Sequence, residues 1–166
     1  MNLLNLKGRL SFDVHFAGAW SRDINESIFN KLISNFNLTK NIKYHGPLYN
    51  KEKEKVFQSA DIFILPTKNE CFPLVLLEAM SYGLPIITTF EGAIPEIIED
   101  GVNGLLVEQG NVEQLAEKIE FVSNNTNLRV KMMNSNFSKF NNEYKFTNFE
   151  ENFWNVINSI YSGDLT

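Results

Sequence analysis

Between Glu70 and Glu78 the chain reads Glu-Cys-Phe-Pro-Leu-Val-Leu-Leu-Glu, two carboxylates eight positions apart with no other charge between them. Asp61 to Leu65 is an apolar strand closed by Pro66, and Leu74 to Tyr82 has helical character. Glu70 therefore falls in the loop after a strand, and Glu78 inside the helix that follows. In an open parallel sheet, ligands sit beyond the carboxyl ends of the strands, where the next helix points its unpaired N–H groups at them. The amides of Leu74, Val75 and Leu76 suit a diphosphate, and Glu78, about one turn further in, can accept hydrogen bonds from two neighbouring hydroxyls. Glu70 would face the opposite end of the same ligand. From the residues alone, a solvated pair of glutamates stays open as the other reading. Against it, a carboxylate set among Leu74–Leu77 and Ala79–Met80 calls for a partner or a ligand.

The elements that must position this segment alternate along the chain. Phe12–Ala17 alternates as a β-prone strand ending at Gly18, and Ile24–Phe36 carries Ile24, Ile28, Phe29, Leu32, Ile33 and Phe36 at helical spacing, predicting one buried face. Ile42–His45 reads as a short strand before Gly46-Pro47, and Lys51–Ser59 as a charged helix. After the Glu70–Glu78 segment come a strand at Pro85–Thr88, a short helix at Pro95–Glu99 and a strand at Gly104–Val107. Short, continuously apolar strands alternating with helices predict an α/β fold, a Rossmann-like parallel sheet with helices on both faces. From Asn111 onward the pattern is helical: Val112–Ser123, the Asn-rich Leu128–Phe140, and Phe146–Tyr161, with a broad stripe of Phe149, Phe153, Trp154, Ile157 and Ile160 in which Phe153 and Trp154 read as core or a docking face. Leu3, Leu4 and Leu6 before Lys7-Gly8 read as the last turns of a helix with a glycine stop, and Lys7-Gly8-Arg9 as a solvated turn.

At 166 residues the chain is long enough for one domain with a core, and its 14 phenylalanines predict that this core is rich in aromatics. A net charge of -5 with no concentrated basic surface argues against DNA or RNA as a partner. One cysteine, Cys71, excludes a disulfide or a Cys-based metal site within the chain and fits a cytoplasmic location. No apolar run approaches the roughly 18–20 residues that span a bilayer. His15, inside a strand, is expected to be packed rather than catalytic. Cys71 is expected to be a small packing residue, with neither histidine near it in sequence.

Several of these segments together resemble the family 4 group of retaining glycosyltransferases. Its second domain carries a glutamate, seven residues and a glutamate, then a Gly-x-Pro strand start, a Gly-x-x-Pro-Glu element and an Asp-Gly-x-Asn-Gly turn. Here these are Glu70 and Glu78, Gly83-Leu84-Pro85, Gly92-Ala93-Ile94-Pro95-Glu96, and Asp100-Gly101-Val102-Asn103-Gly104. The resemblance implies the second domain of a GT-B fold, spanning residues 1–166 as a single nucleotide-sugar-binding domain. It implies a donor site of Glu70, Phe72, Pro73, Leu74, Val75 and Glu78, with Gly46 and Leu48 near the base, and Glu70 as the catalytic-site carboxylate. Glu78 would hold the ribose hydroxyls, Glu70 those of the sugar, and the amides near Leu74 and Val75 the diphosphate. The family has a glycine where Cys71 stands.

The resemblance further implies a UDP- or GDP-sugar as substrate, no metal, no cofactor, and transfer to a polysaccharide or glycolipid acceptor. In the family an acceptor domain and an opening strand precede this region. The expectation is therefore a chain without transferase activity of its own, with strands Phe12–Ala17 and Asp61–Leu65 either pairing directly or having their edges covered in a homo-oligomer. Peripheral membrane association is expected for the complete enzyme. A degenerate, non-catalytic binding module of the same fold is the alternative.

Overall fold

A computed structural model of the chain describes residues 12–21 and 24–162; the expected helix end at Leu3–Gly8 and the turn at Lys7-Gly8-Arg9 lie outside them. The chain divides into two compact units, residues 1–59 and 60–166. In the first, β1 (Val14–Phe16) pairs in parallel with β2 (Ile42–Tyr44), with α1 (Glu26–Asn35) between them in sequence and α2 (Asn50–Ser59) after. The side chain of Asn25 caps α1 by accepting from the Ile28 N–H at 3.0 Å. The packed centre of this unit is aromatic: Trp20 stacks on Tyr44 with centroids 3.9 Å apart, and Phe29 meets both rings. The expected single buried face of α1 is divided. Phe29, Ile33 and Phe36 are half-buried, whereas Ile24, Ile28 and Leu32 are exposed. Two strands about 4.8 Å apart are narrower than a helix with its side chains, so they cover only part of such a stripe.

The second unit holds β3 (Phe63–Leu65), α3 (Leu74–Ser81), β4 (Ile86–Thr89), α4 (Ile94–Ile97) and β5 (Gly104–Val107). They are followed by α5 (Val112–Ser123), α6 (Thr126–Lys139), a π-helical turn at Phe140–Tyr144 and α7 (Phe146–Ser162). Its strands run parallel in the order β3-β4-β5, with Ile64 opposite Ile87 and Ile87 opposite Leu105. The α/β class with parallel strands and flanking helices is as the sequence predicts. The strands are shared between two sheets, however, and Phe12–Ala17 pairs with Ile42–Tyr44 rather than with Asp61–Leu65.

Every residue of β4 and β5 is buried, as expected for strands covered on both faces. On one face Ile87, Leu105 and Val107 pack with Val122 of α5 and Met132 of α6, joined by Leu115, Ile119 and Leu128. Each such side chain contributes about 1.5–3 kcal/mol when fully buried. This core is aliphatic, not aromatic: among the described residues Phe57 is the only buried phenylalanine. Many other aromatic rings lie at the surface, most of all along α7, where Phe146, Phe149, Phe153 and Trp154 are exposed and no residue is buried. Phe153 and Trp154, read as core or a docking face, are thus not core.

The end of α3 shows why its glycine is needed. Gly83 adopts φ +68, its N–H donates to the Met80 carbonyl at 2.9 Å, and the Leu84 N–H donates to the Ala79 carbonyl at 3.1 Å. This is the Schellman arrangement that ends a helix with a left-handed residue. Pro85 then starts the run into β4. A Cβ at Gly83 would also lie 2.8 Å from Met133 Cγ, so α3 reaches α6 only because this position is bare.

Two asparagines do structural work that the Asn-rich composition concealed. Asn103 and Asn136 are both buried, and the Asn103 amide donates to the Asn136 side-chain oxygen at 3.1 Å. Asn136 donates to the carbonyls of Leu84 and Asn103, each at 2.8 Å, and Asn103 accepts from the Glu99 N–H at 2.7 Å. The pair ties the turn before β5 to α6, which gives Asn103 of the Asp-Gly-x-Asn-Gly turn a structural role.

Candidate functional site

The site is built on the carboxyl ends of β3 and β4 and the amino end of α3. Pro73 precedes α3 and supplies no side-chain cap. The amides of Leu74 and Val75 come before the first intrahelical bond, as in any α-helix, while the Leu76 N–H turns back to the Pro73 carbonyl at 3.0 Å. Leu74 is 66% exposed and Phe72 44% exposed, so the mouth of the helix opens to solvent. Pro73 itself is buried, and Val75 is half-buried. That combination, an open amino end with the positive pole of the helix dipole, attracts an anion.

Glu70 and Glu78 are both half-buried, one in the loop before α3 and one a turn into it. The carbonyl of Glu78 accepts from the Ser81 hydroxyl at 2.6 Å. The loop carrying Glu70 runs from Pro66 to Pro73 and is fastened to its neighbours. Thr88 and Thr89 of β4 donate their hydroxyls to the carbonyls of Leu65 and Thr67, each at 2.8 Å, and the Ala93 N–H donates to the Cys71 carbonyl at 2.8 Å.

The thiol of Cys71 is free and exposed rather than packed, and its backbone avoids the left-handed region, so the residue does not need the conformational freedom of glycine. Gly46 and Leu48 belong to the other compact unit, where Gly46 has φ +71 and its carbonyl accepts from the Gly18 N–H at 2.9 Å. His15 is exposed instead of packed. Its Nδ1 lies 3.0 Å from Nε2 of His45, one ring donating and the other accepting according to tautomer. Burial first, then Lys43 and His15, hold the His45 imidazole below its ordinary pKa. Among the described residues, no group of three or more His, Cys, Asp or Glu is placed to hold a metal ion, and no helix is long and apolar enough to cross a membrane.

Sequence reasoning passed over Thr88, Thr89 and Gln109. The Gln109 amide donates to the Lys68 carbonyl at 2.8 Å and also to the Glu91 carboxylate. No local signal marks such a residue, because its partners lie 41 and 18 positions away.

A parallel sheet whose carboxyl-end loops surround an open helix terminus defines a Rossmann-like α/β domain of the kind found in GT-B glycosyltransferases. The chain belongs to the glycosyl transferases group 1 family, which its residues 6–138 match. It is 27% identical over 139 residues to the N-acetyl-alpha-D-glucosaminyl L-malate synthase of Bacillus anthracis, covering 81% of this chain and 36% of that protein. Among solved structures it is similar to the C-terminal domain of the group 1 glycosyl transferase LpcC from Francisella tularensis. There the TM-score is 0.76 and the identity 27%, over 87% of this chain and 75% of that one. It also shares its fold with HepE of Anabaena, solved in complex with UDP, at a TM-score of 0.78 and 20% identity over 89% of this chain and 41% of that one. The chain spans 23%, 16% and 34% of the length of three further curated relatives it matches.

Proposed function

We propose that this chain is the donor-binding domain of a retaining, family 4 glycosyltransferase that moves a sugar from a nucleotide-diphosphate sugar to a polysaccharide or glycolipid acceptor. The observation that carries this reading is the uncapped, solvent-facing amino end of α3, with a half-buried glutamate on each side of it. In this reading the Leu74 and Val75 amides receive the diphosphate and Glu78 accepts from the two ribose hydroxyls. Glu70 accepts from the sugar, and Phe72 and Pro73 shape the wall between them. The amides offset the charge on the departing diphosphate, so the site itself calls for no metal and no cofactor. The UDP in the HepE structure supports a uridine nucleotide as the first ligand to try.

Titration calorimetry of the chain with UDP, GDP and UDP-glucose tests the proposal. Hydrogen bonds to a carboxylate contribute about 1.5–3 kcal/mol, so Glu78→Ala is expected to weaken UDP and UDP-glucose alike, by roughly 10- to 100-fold. Glu70→Ala is expected to weaken UDP-glucose alone. Absence of binding at millimolar ligand would favour the alternative, a non-catalytic module that keeps the fold.

A further inference from the structure

Besides the Thr89 hydroxyl on the Thr67 carbonyl, the loop carrying Glu70 has two fastenings close to that residue, one just before it and one just after. Behind it, the Gln109 amide nitrogen donates to the Lys68 carbonyl and to the Glu91 carboxylate, linking the loop after β5 to those after β3 and β4. Ahead of it, the Ala93 N–H donates to the Cys71 carbonyl at 2.8 Å. Gly92 shows how closely the two turns meet. At φ +50, a Cβ there would fall 2.6 Å from the Cys71 carbonyl oxygen and 3.0 Å from Cys71 Cα, and would also run into the Glu70 carbonyl oxygen. The turn after β4 therefore rests directly on the backbone of Glu70 and Cys71, and Gln109 keeps that turn and the loop in register. The chemistry suits a primary amide, whose two N–H groups match the two acceptors.

We propose that Gln109 is a positioning residue for the sugar end of the donor site, a role that rests on the donor-site reading above. It touches no substrate. It holds Glu70 through Lys68 on one side and, through Glu91 and the adjoining Gly92 and Ala93, on the other. Losing the amide should free the loop carrying Glu70 and leave α3, with its amides and Glu78, in place. The expected signature is a selective loss of sugar recognition.

Three variants separate the possibilities. Gln109→Ala removes the donor, Gln109→Glu sets a carboxylate against Glu91 and the Lys68 carbonyl, and Gln109→Lys keeps a donor for both. Two readouts are needed: hydrogen exchange of the Ala93 amide in the ligand-free chain, and calorimetric affinity for UDP and for UDP-glucose. A neutral hydrogen bond contributes about 0.5–1.5 kcal/mol, so the Ala and Glu variants should speed Ala93 exchange and weaken UDP-glucose binding by about two- to tenfold. UDP affinity should stay within about twofold, and the Lys variant should behave like the unmodified chain. Unchanged exchange in both the Ala and Glu variants overturns the proposal, as does equal weakening of UDP and UDP-glucose. If exchange responds but the unmodified chain binds neither ligand, the donor-site reading fails and takes the positioning role with it, leaving only a structural fastening.

Discussion

Glu70 and Glu78 differ in what holds them. Glu78 is carried by a helix, whose backbone bonds fix its direction, whereas Glu70 depends on contacts made by Thr89, Ala93 and Gln109. They stand out as a candidate pair in the sequence because both lie in one short segment. The fastenings could not, because each joins residues brought together only when β3, β4 and β5 align. The histidines repeat this lesson: His15 and His45 are 30 positions apart and meet because β1 and β2 pair. His45 also carries a pH dependence, set by burial first and then by Lys43 and His15. His45 binds its proton less readily in the folded chain than in the unfolded one, so the unfolded state holds more protons near its titration. Its contribution to stability is present above the ordinary imidazole value of about 6.5 and is lost as pH falls through its lower folded value. Urea midpoints should therefore drop on acidification through this window, and drop less in His45→Gln. Proton NMR of the His45 ring should give a midpoint below the ordinary value, and one at or above it would contradict the assignment.

At the scale of elements, the alternation of strand and helix was legible almost throughout, with β5 and α5 bounded as the spacing predicts. Continuous apolar runs such as Ile86-Ile87 identify strands covered on both faces, whichever strand lies beside them. Pairing is another matter. The choice of β2 as the neighbour of β1 involves residues far apart in sequence, and the three-residue strands carry too little pattern to specify it. The aromatic count misled for a similar reason: composition counts rings and cannot tell a core from the open face of α7. Gly83 was legible as the start of a Gly-x-Pro element, while its part in ending α3 and its closeness to Met133 and Phe137 were not. Because Gly83→Ala combines a left-handed backbone with a steric clash against α6, it should destabilise by about 2–4 kcal/mol. Urea denaturation would measure this, and a loss below about 0.5 kcal/mol would show that α3 and α6 are not so closely apposed.

At the scale of the molecule, residues 60–166 contain all the described buried hydrophobic residues but Phe57 and every residue of the proposed diphosphate and sugar contacts, while Gly46 and Leu48 lie in the other unit. The chain spans 41% of HepE and 36% of the Bacillus anthracis synthase, and it leaves the apolar face of α7 largely exposed and that of α1 partly so. In the proposed reading, the described residues supply a place for the nucleotide sugar. The central claim is that the diphosphate rests on the amino end of α3. The most direct measurement is a proton–nitrogen NMR titration of the labelled chain with UDP, following the backbone amides. The Leu74 and Val75 amides should show the largest shifts, and Glu78→Ala should raise the UDP concentration needed to reach them. Shifts centred on any other element, or none at millimolar UDP, would contradict the claim.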